Sequence, residues 1–292
     1  MRTVAGKRVA VGLFWSTRPR QWVKNLLVLA APLAAGVLAD VIPEVVAAFG
    51  LFVLVSASVY LFNDTMDAAE DRNHPTKKSR PIAAGLVPIP VATGTAVALL
   101  AIGLSLGFVV DRDLGVVLAL YALLQVAYAL LLKHQAVIDL AVVASGFLLR
   151  AIAGGVAADV PLSQWFLLVA AFGSLFMVAG KRYSELRSLG TDAGTRRTLN
   201  SYSESYLRFV WSLAAAVTIT AYSLWAFEIS EASSTQWQAI SIAPFVLGLL
   251  RYAVDIDRGL AGEPEEAVLR DHVLQGIGLI WIVVFALGVY RG

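Results

Sequence analysis

Residues 44–85 read EVVAAFGLFVLVSASVYLFNDTMDAAEDRNHPTKKSRPIAAG, an apolar run that ends in a burst of carboxylates and then of cations. No charge interrupts Val45 to Phe62, so the run can cross a hydrocarbon core as one helix. Asp64, Asp67 and Asp71 then fall at i, i+3 and i+7, and a helix continuing through them sets all three on one face. Three carboxylates on one face repel each other unless a cation sits between them. A hard divalent ion such as Mg2+ takes oxygen ligands, keeps several waters, and reaches a protein through one or two carboxylates plus substrate phosphates. The spacing therefore reads as a metal–diphosphate platform. Asn63, Asp64 and Asp67 are its candidate metal ligands and catalytic residues, with Asp71 one turn on as a substrate-binding residue. At His74-Pro75 the proline is expected to end the helix, and His74 reads as structural. Lys77, Lys78 and Arg80 follow as bases for phosphate.

The competing reading is a solvated helix end whose acids are offset by Arg72, Lys77, Lys78 and Arg80. Composition decides against it. The 292-residue chain is 58% hydrophobic and 15% charged, with a mean hydropathy of +0.73. That is the profile of a polytopic membrane protein, in which polar residues at a span end mark sites. Apolar runs bounded by charges, Pro or Gly predict nine transmembrane helices near 22–39, 44–62, 90–110, 114–132, 136–157, 161–180, 206–227, 238–256 and 271–290. The expected fold is all-α, a bundle around a cytoplasm-facing cavity. No polar stretch is long enough for a separate soluble domain, so residues 1–292 read as a single membrane domain. Cysteine is absent, which excludes a disulfide framework or a thiolate metal site. The opening MRTVAGKRVAVGLFWSTRPRQW has too short and interrupted an apolar run to read as a cleavable signal peptide. Cytoplasmic loops carry the excess of Lys and Arg. With Arg150 set aside inside a span, twenty of the other twenty-two cations, Arg196 and Arg197 among them, fall on one side of this arrangement. The N-terminus and the platform lie on that side and are predicted to be cytoplasmic, in an inner (plasma) membrane.

Four further constellations carry polar chemistry. GKRYSEL, residues 180–186, ends the sixth predicted span and offers Lys181, Arg182, Tyr183 and Glu185. It reads either as a positive flank with an interfacial tyrosine or as a set of substrate ligands. KHQAVIDLAVVASGFLLRAIAGG, residues 133–155, places Asp139 and Arg150 eleven residues apart, about 16 Å along one helix face. An arginine that deep faces a bundle interior or a polar cavity, as half of an interhelical ion pair or as a cation on the floor of a site. Lys133 and His134 stand at the mouth of the same helix. In RPRQWVKN, residues 18–25, Arg18 and Arg20 read as a surface anchor with Trp15 and Trp22, while Lys24 has entered the helix and is a candidate substrate ligand. RYAVDIDRGLAGEPEEAVLRD, residues 251–271, carries Asp255, Asp257, Glu263, Glu265 and Glu266 at loose spacing, expected to be mostly solvated. No phosphate-binding G-x-x-x-x-G-K-[ST] loop, G-x-S-x-G elbow or H-E-x-x-H helix occurs, and the three His are too scattered for zinc. What survives is Mg2+-assisted handling of a phosphorylated substrate at a membrane.

The run N-D-x-x-D-x-x-x-D at a span end, followed by H-P-x-K-x-x-R-P-I-A-A-G, resembles the UbiA-type intramembrane prenyltransferase superfamily. RPRQWVKNLLVLAAPLAA, FGSLFMVAGKRYSEL, SYLRFVW and LRYAVDIDRGLAGEPE carry the resemblance along nearly the whole chain, toward the branch that uses a phosphoribosyl donor. The resemblance implies transfer of 5-phosphoribosyl from phosphoribosyl diphosphate to a polyprenyl (decaprenyl) phosphate in the lipid bilayer. Mg2+ on the first Asp-rich motif would hold the departing diphosphate, and the product would serve cell-wall arabinan synthesis. Nucleic acid has no part in it, and a homo-oligomer is compatible with it. Most superfamily members carry a second Asp-rich motif between the sixth and seventh helices; this chain has Lys181, Arg182, Tyr183 and Glu185 there. The exchange suits a donor that bears a 5-phosphate as well as a diphosphate, since it needs more cations. Lys24, Lys77, Arg80, Lys133, Arg150, Lys181 and Arg182 are the candidate substrate-binding cations. The acceptor phosphate is already anionic at neutral pH, so no general base is required. The alternatives are an aromatic prenyltransferase using a polyprenyl diphosphate donor and, from another class, a transporter.

Overall fold

The computed structural model describes residues 2–74, 76–189, 201–232 and 235–291; Pro75, Arg196 and Arg197 lie outside them. In chain order the α-helices are α1 (Arg2–Ser16), α2 (Ala30–Ala34), α3 (Ile42–Met66), α4 (Ala68–Asn73), α5 (Ile89–Val110), α6 (Arg112–Leu130), α7 (Ile138–Ala157), α8 (Gln164–Leu189), α9 (Glu204–Ala232), α10 (Trp237–Asp257), α11 (Pro264–Arg270) and α12 (His272–Arg291). Short 3-10 helices cover Pro19–Leu29, Lys77–Ser79 and Leu132–His134. No strand occurs among the described residues. Eight helices, α3, α5 to α10 and α12, are long and apolar enough to cross a membrane. In lipid each backbone amide needs a partner within its own segment, so apolar runs of this length fold as helices despite their Val and Ile content. Large apolar side chains such as Val109, Leu123 and Leu279 stay exposed on them, as a lipid-facing surface requires. The chain is an integral membrane protein.

The first predicted span, 22–39, is not among the eight helices, and the count of nine is corrected. Pro19–Leu29 form a 3-10 helix and only Ala30–Ala34 close into α2. Tertiary contacts hold this geometry. The Asn25 side chain, fully buried, bonds Ser56 of α3 and Arg150 of α7. Gly154 of α7 lies so close that a Cβ there would clash with the Val28 carbonyl oxygen. The segment nevertheless lies along α3. Arg18 meets Asp64 in the last turn of α3, Asn25 meets Ser56, and Val28 joins the cluster that holds Val45 and Ala48 near the helix start. The chain thus runs the length of α3 before it reverses into Ile42.

Two compact units divide the contacts. The first comprises residues 1–32, 38–130 and 149–160, with Val28, Phe52, Leu114, Leu118, Tyr121 and Leu149 in its main core. A smaller cluster of Leu61, Ala68, Ile82, Val87 and Ala96 secures α4 and the loop after it against α3 and α5. The second unit comprises residues 33–37, 131–148 and 161–292. Phe176, Tyr183, Leu207, Tyr252 and Ile256 form its core. Within it Phe176 lies edge-on to Tyr252 at 5.8 Å, and Tyr183 to Trp211 at 6.3 Å.

Candidate active site

In the first unit the platform forms where α3 breaks. Asp67 is the junction residue, half-buried, and its backbone N–H still donates to the Asn63 carbonyl (2.9 Å) while its own carbonyl accepts from Asp71 (2.8 Å). The helical bonding pattern carries through the break, so α4 keeps the phase of α3. Asp64 and Asp71, two turns apart, accordingly share one cation. Arg80 Nη1 donates to Asp64 Oδ1 at 3.2 Å and to Asp71 Oδ2 at 2.6 Å. Lys77 Nζ approaches Asp71 Oδ1 at 3.9 Å. Both carboxylates are 3% exposed, so these cations are what makes their burial tolerable.

Arg18 supplies a further charge to Asp64. Its Nη2 donates to Asp64 Oδ1 at 2.5 Å, and its guanidinium lies 4.9 Å over the Tyr60 ring. Its backbone is left-handed, φ 55° and ψ 65°, a conformation that costs a non-glycine residue about 1–2 kcal/mol. Sequence reading assigned Arg18 to a surface anchor; its partner lies 46 residues away, and only the following Pro19 hinted at a break in the chain.

One observation fits a divalent metal at this cluster. The Asn63 Oδ1 is buried and has no hydrogen-bond partner among the described residues, leaving a hard oxygen donor in the last turn of α3. No three His, Asp or Glu side chains among the described residues converge as a self-sufficient metal site. One or two protein oxygens completed by phosphate oxygens is the arrangement magnesium favours. His74, by contrast, is structural: its Nδ1 accepts from the Thr76 and Lys77 backbone N–H groups, both at 3.3 Å. Arg72 donates to the Ala83 carbonyl (3.3 Å), tying α4 to the loop that follows. Lys24 is half-buried on the 3-10 crossing.

Arg150 lies deep in the same unit. Its Nε donates to Asn25 Oδ1 (2.7 Å) and its Nη2 to the Tyr121 hydroxyl (3.0 Å), with the guanidinium 4.8 Å over the Tyr121 ring and 5.6 Å over Phe52. These partners make it the fastening of the 3-10 crossing. Asp139 and Arg150 share α7 but answer to different partners.

Asp139 belongs to the second unit's polar cluster. It is buried, accepts a short hydrogen bond from the Tyr202 hydroxyl, and pairs with Arg182 Nε at 3.5 Å. The Tyr202 oxygen in turn accepts from the Val137 N–H at 2.6 Å. Burial, with the hydrogen bond to Asp139 next, pushes the Tyr202 hydroxyl pKa well above its ordinary value. Arg182 also donates to Glu185 (3.1 Å), and Lys181 Nζ lies 3.7 Å from the same carboxylate. Arg182 is 7% exposed and Lys181 35%, so Lys181 is the better presented of the two. Tyr183 is fully buried; its hydroxyl donates to Asp257 (3.3 Å) and accepts from Arg187 (2.9 Å) and Arg208 (2.7 Å). Lys133 sits half-buried in the turn before α7.

Of the acids expected to be solvated, Asp255 is buried and Asp257 is bound to Arg208 (3.0 Å), whereas Glu263 and Glu266 are exposed. Asp271, bonded by Arg251 at 2.6 Å, has its carboxyl held below the usual carboxylate range by that guanidinium. Sequence reading missed Tyr202, Arg208 and the pairing role of Asp257, because their partners lie on other helices and no local pattern marks them.

Residues 26–270 match the model of the UbiA prenyltransferase family. The chain belongs to the UbiA prenyltransferase family. Within it, the chain is 52% identical to the decaprenyl-phosphate phosphoribosyltransferase of Mycolicibacterium smegmatis, over 97% of this chain and 94% of that protein. It is 51% identical to the protein of the same name from Mycobacterium tuberculosis, over 97% of this chain and 96% of that one. These relatives are transferases, and this UbiA-family chain is an enzyme of that class. A solved UbiA homologue from Archaeoglobus fulgidus bound to DMAPP and Mg2+ superposes with a TM-score of 0.72 over 93% of this chain and 96% of that one, at 17% identity, which shows the shared UbiA fold.

Proposed function

We propose that this enzyme transfers 5-phosphoribosyl from phosphoribosyl diphosphate to decaprenyl phosphate, or a polyprenyl phosphate of similar length, for cell-wall arabinan synthesis. The observation that carries the reading is identity near one half, over nearly the whole chain, with relatives named for this activity. An acceptor phosphate oxygen forms a bond to C1 of the ribose, the C1–diphosphate bond breaks, and diphosphate leaves with the electron pair. No proton needs to move, and the anomeric configuration inverts. Asn63, Asp64 and Asp67 would hold Mg2+, which would supply charge neutralisation to the departing diphosphate. Arg80, Lys77 and Lys24 bind donor phosphate, and Asp71 both steers Arg80 and accepts from ribose. In the second cluster Lys181 and Lys133 offer cations to substrate phosphate, while Asp139 and Glu185 orient Arg182. Tyr183 organises Arg187 and Arg208, and Arg150 acts through Asn25. The N-terminus and the Asp64 platform face the cytoplasm of the plasma membrane, where a soluble donor is available.

The test is label transfer. In detergent with Mg2+, phosphoribosyl diphosphate labelled in the sugar should pass label to added polyprenyl phosphate, giving a lipid-soluble product, and chelation should abolish it. Label that stays aqueous with folded protein refutes the reading; consumption of polyprenyl diphosphate instead would indicate an aromatic prenyltransferase.

A further inference from the structure

We propose that Arg18 is an exchangeable counter-ion of Asp64 that makes entry of the divalent metal depend on the donor's diphosphate, so that the two bind together. The inference rests on the metal–diphosphate reading of the platform and adds to it a residue that decides which form of the metal is accepted. Asp64 Oδ1 accepts from two guanidiniums, Arg18 at 2.5 Å and Arg80 at 3.2 Å. A bare divalent ion that binds at Oδ1 competes with both guanidiniums for that oxygen and then sits beside both positive charges. An ion carrying diphosphate brings the anionic oxygens that offset those charges.

The two arginines are not equivalent. Arg80 is also held by Asp71 at 2.6 Å, so its position survives the loss of Asp64. Arg18 is 30% exposed, holds a left-handed backbone between α1 and the 3-10 crossing, and rests 4.9 Å above the Tyr60 ring. That ring offers the guanidinium a resting place once the carboxylate is taken, because an aromatic face attracts a cation without hydrogen bonding to it. Arg18 can therefore leave Asp64 without leaving the site. A metal without diphosphate meets an Oδ1 already held by two guanidiniums.

The test measures Mn2+ binding to the purified full-length protein by the spectrum of free Mn2+, with no phosphate present. Arg18→Gln should bind Mn2+ alone about tenfold tighter than the unaltered protein, within the usual range of coupling between two ligands. Arg18→Lys, which keeps the charge, should bind as weakly as the unaltered protein. So should Arg20→Gln, which removes an exposed cation two residues away. Adding Asp64→Asn to Arg18→Gln should abolish the tightened site. Unchanged or weaker Mn2+ binding in Arg18→Gln, equal tightening in Arg20→Gln, or tightening that survives without Asp64 each overturns the proposal. If label transfer fails while Arg18→Gln still tightens Mn2+ through Asp64, the donor is wrong and the counter-ion stands. If label transfer succeeds without that tightening, the donor stands and the counter-ion is wrong.

Discussion

Arg150 and Asn25 should behave as one energetic unit. The Arg150 Nε donates to Asn25 Oδ1 at 2.7 Å, its Nη2 to Tyr121 at 3.0 Å, and both side chains are buried. A buried hydrogen bond from a charged donor contributes about 1.5–3 kcal/mol, and an acceptor left unsatisfied costs about 1–3 kcal/mol. Arg150→Met keeps apolar bulk over Phe52 and Tyr121, gains back the desolvation of the charge, and orphans Asn25 Oδ1, for a net loss of about 3 kcal/mol. Asn25→Leu removes an acceptor of the arginine and should cost a similar amount. If the two act through each other, the double variant loses about 4 kcal/mol and not about 6, a coupling near 2 kcal/mol. Denaturant titration in mixed micelles, followed by tryptophan fluorescence, reads all four proteins. Donor KM should stay within a few-fold in any variant that folds. Additivity within about 0.3 kcal/mol would refute the fastening role. So would Arg150→Met at full stability with a donor KM raised tenfold, which would put the guanidinium on the substrate.

Three other predictions follow from the clusters. Asp64→Asn and Asp67→Asn should lower kcat by orders of magnitude in label transfer while the protein elutes as a folded species, and Asp71→Asn should be milder; near-normal rates at saturating Mg2+ would remove the metal role. Lys181→Ala should raise donor KM more than acceptor KM, whereas Arg182→Ala, which strands the buried Asp139, should lower the unfolding midpoint as well; the reverse pattern would exchange their roles. The raised pKa of Tyr202 means its neutral hydroxyl is favoured in the folded state, so its stabilisation is complete below about pH 10, the ordinary tyrosine value, and is lost as pH rises through the folded pKa. The unfolding midpoint should therefore fall more steeply above pH 10 in the unaltered protein than in Tyr202→Phe, and parallel curves would show that the bond to Asp139 contributes nothing.

What could be read from the sequence is what is local. The charge-free run before Asp64 required a helix in lipid, and the i, i+7 spacing required that Asp64 and Asp71 face one way, as the shared Arg80 records. What could not be read is pairing across the chain. Arg18 and Asp64 are 46 residues apart, Tyr202 and Asp139 63, and Arg150 and Asn25 125. A lone arginine beside an apolar run carries no mark of its distant partner, so the anchor and the counter-ion look alike until the chain is folded. The helix type of the first crossing was hidden for a different reason. Hydropathy does not tell an α-helix from a 3-10 helix, and the choice here rests on the distant partners of Asn25 and on the close approach of Gly154.

The choice of helix type in that crossing matters to the site. Pro19–Leu29 as a 3-10 helix rise about 22 Å, and Ala30–Ala34 as an α-helix add about 7.5 Å. Together they rise about 30 Å. The same residues wound entirely as α-helix would rise only about 24 Å. A 3-10 helix of this length has poorer hydrogen bonds than an α-helix and needs outside support. Asn25, held by Arg150 and Ser56, gives that support at mid-segment, and the missing side chain of Gly154 lets α7 close on Val28 one turn further. A weakened Arg150–Asn25 bond should then be felt at Asp64, through the reach of Arg18, although Arg150 itself touches neither metal nor substrate.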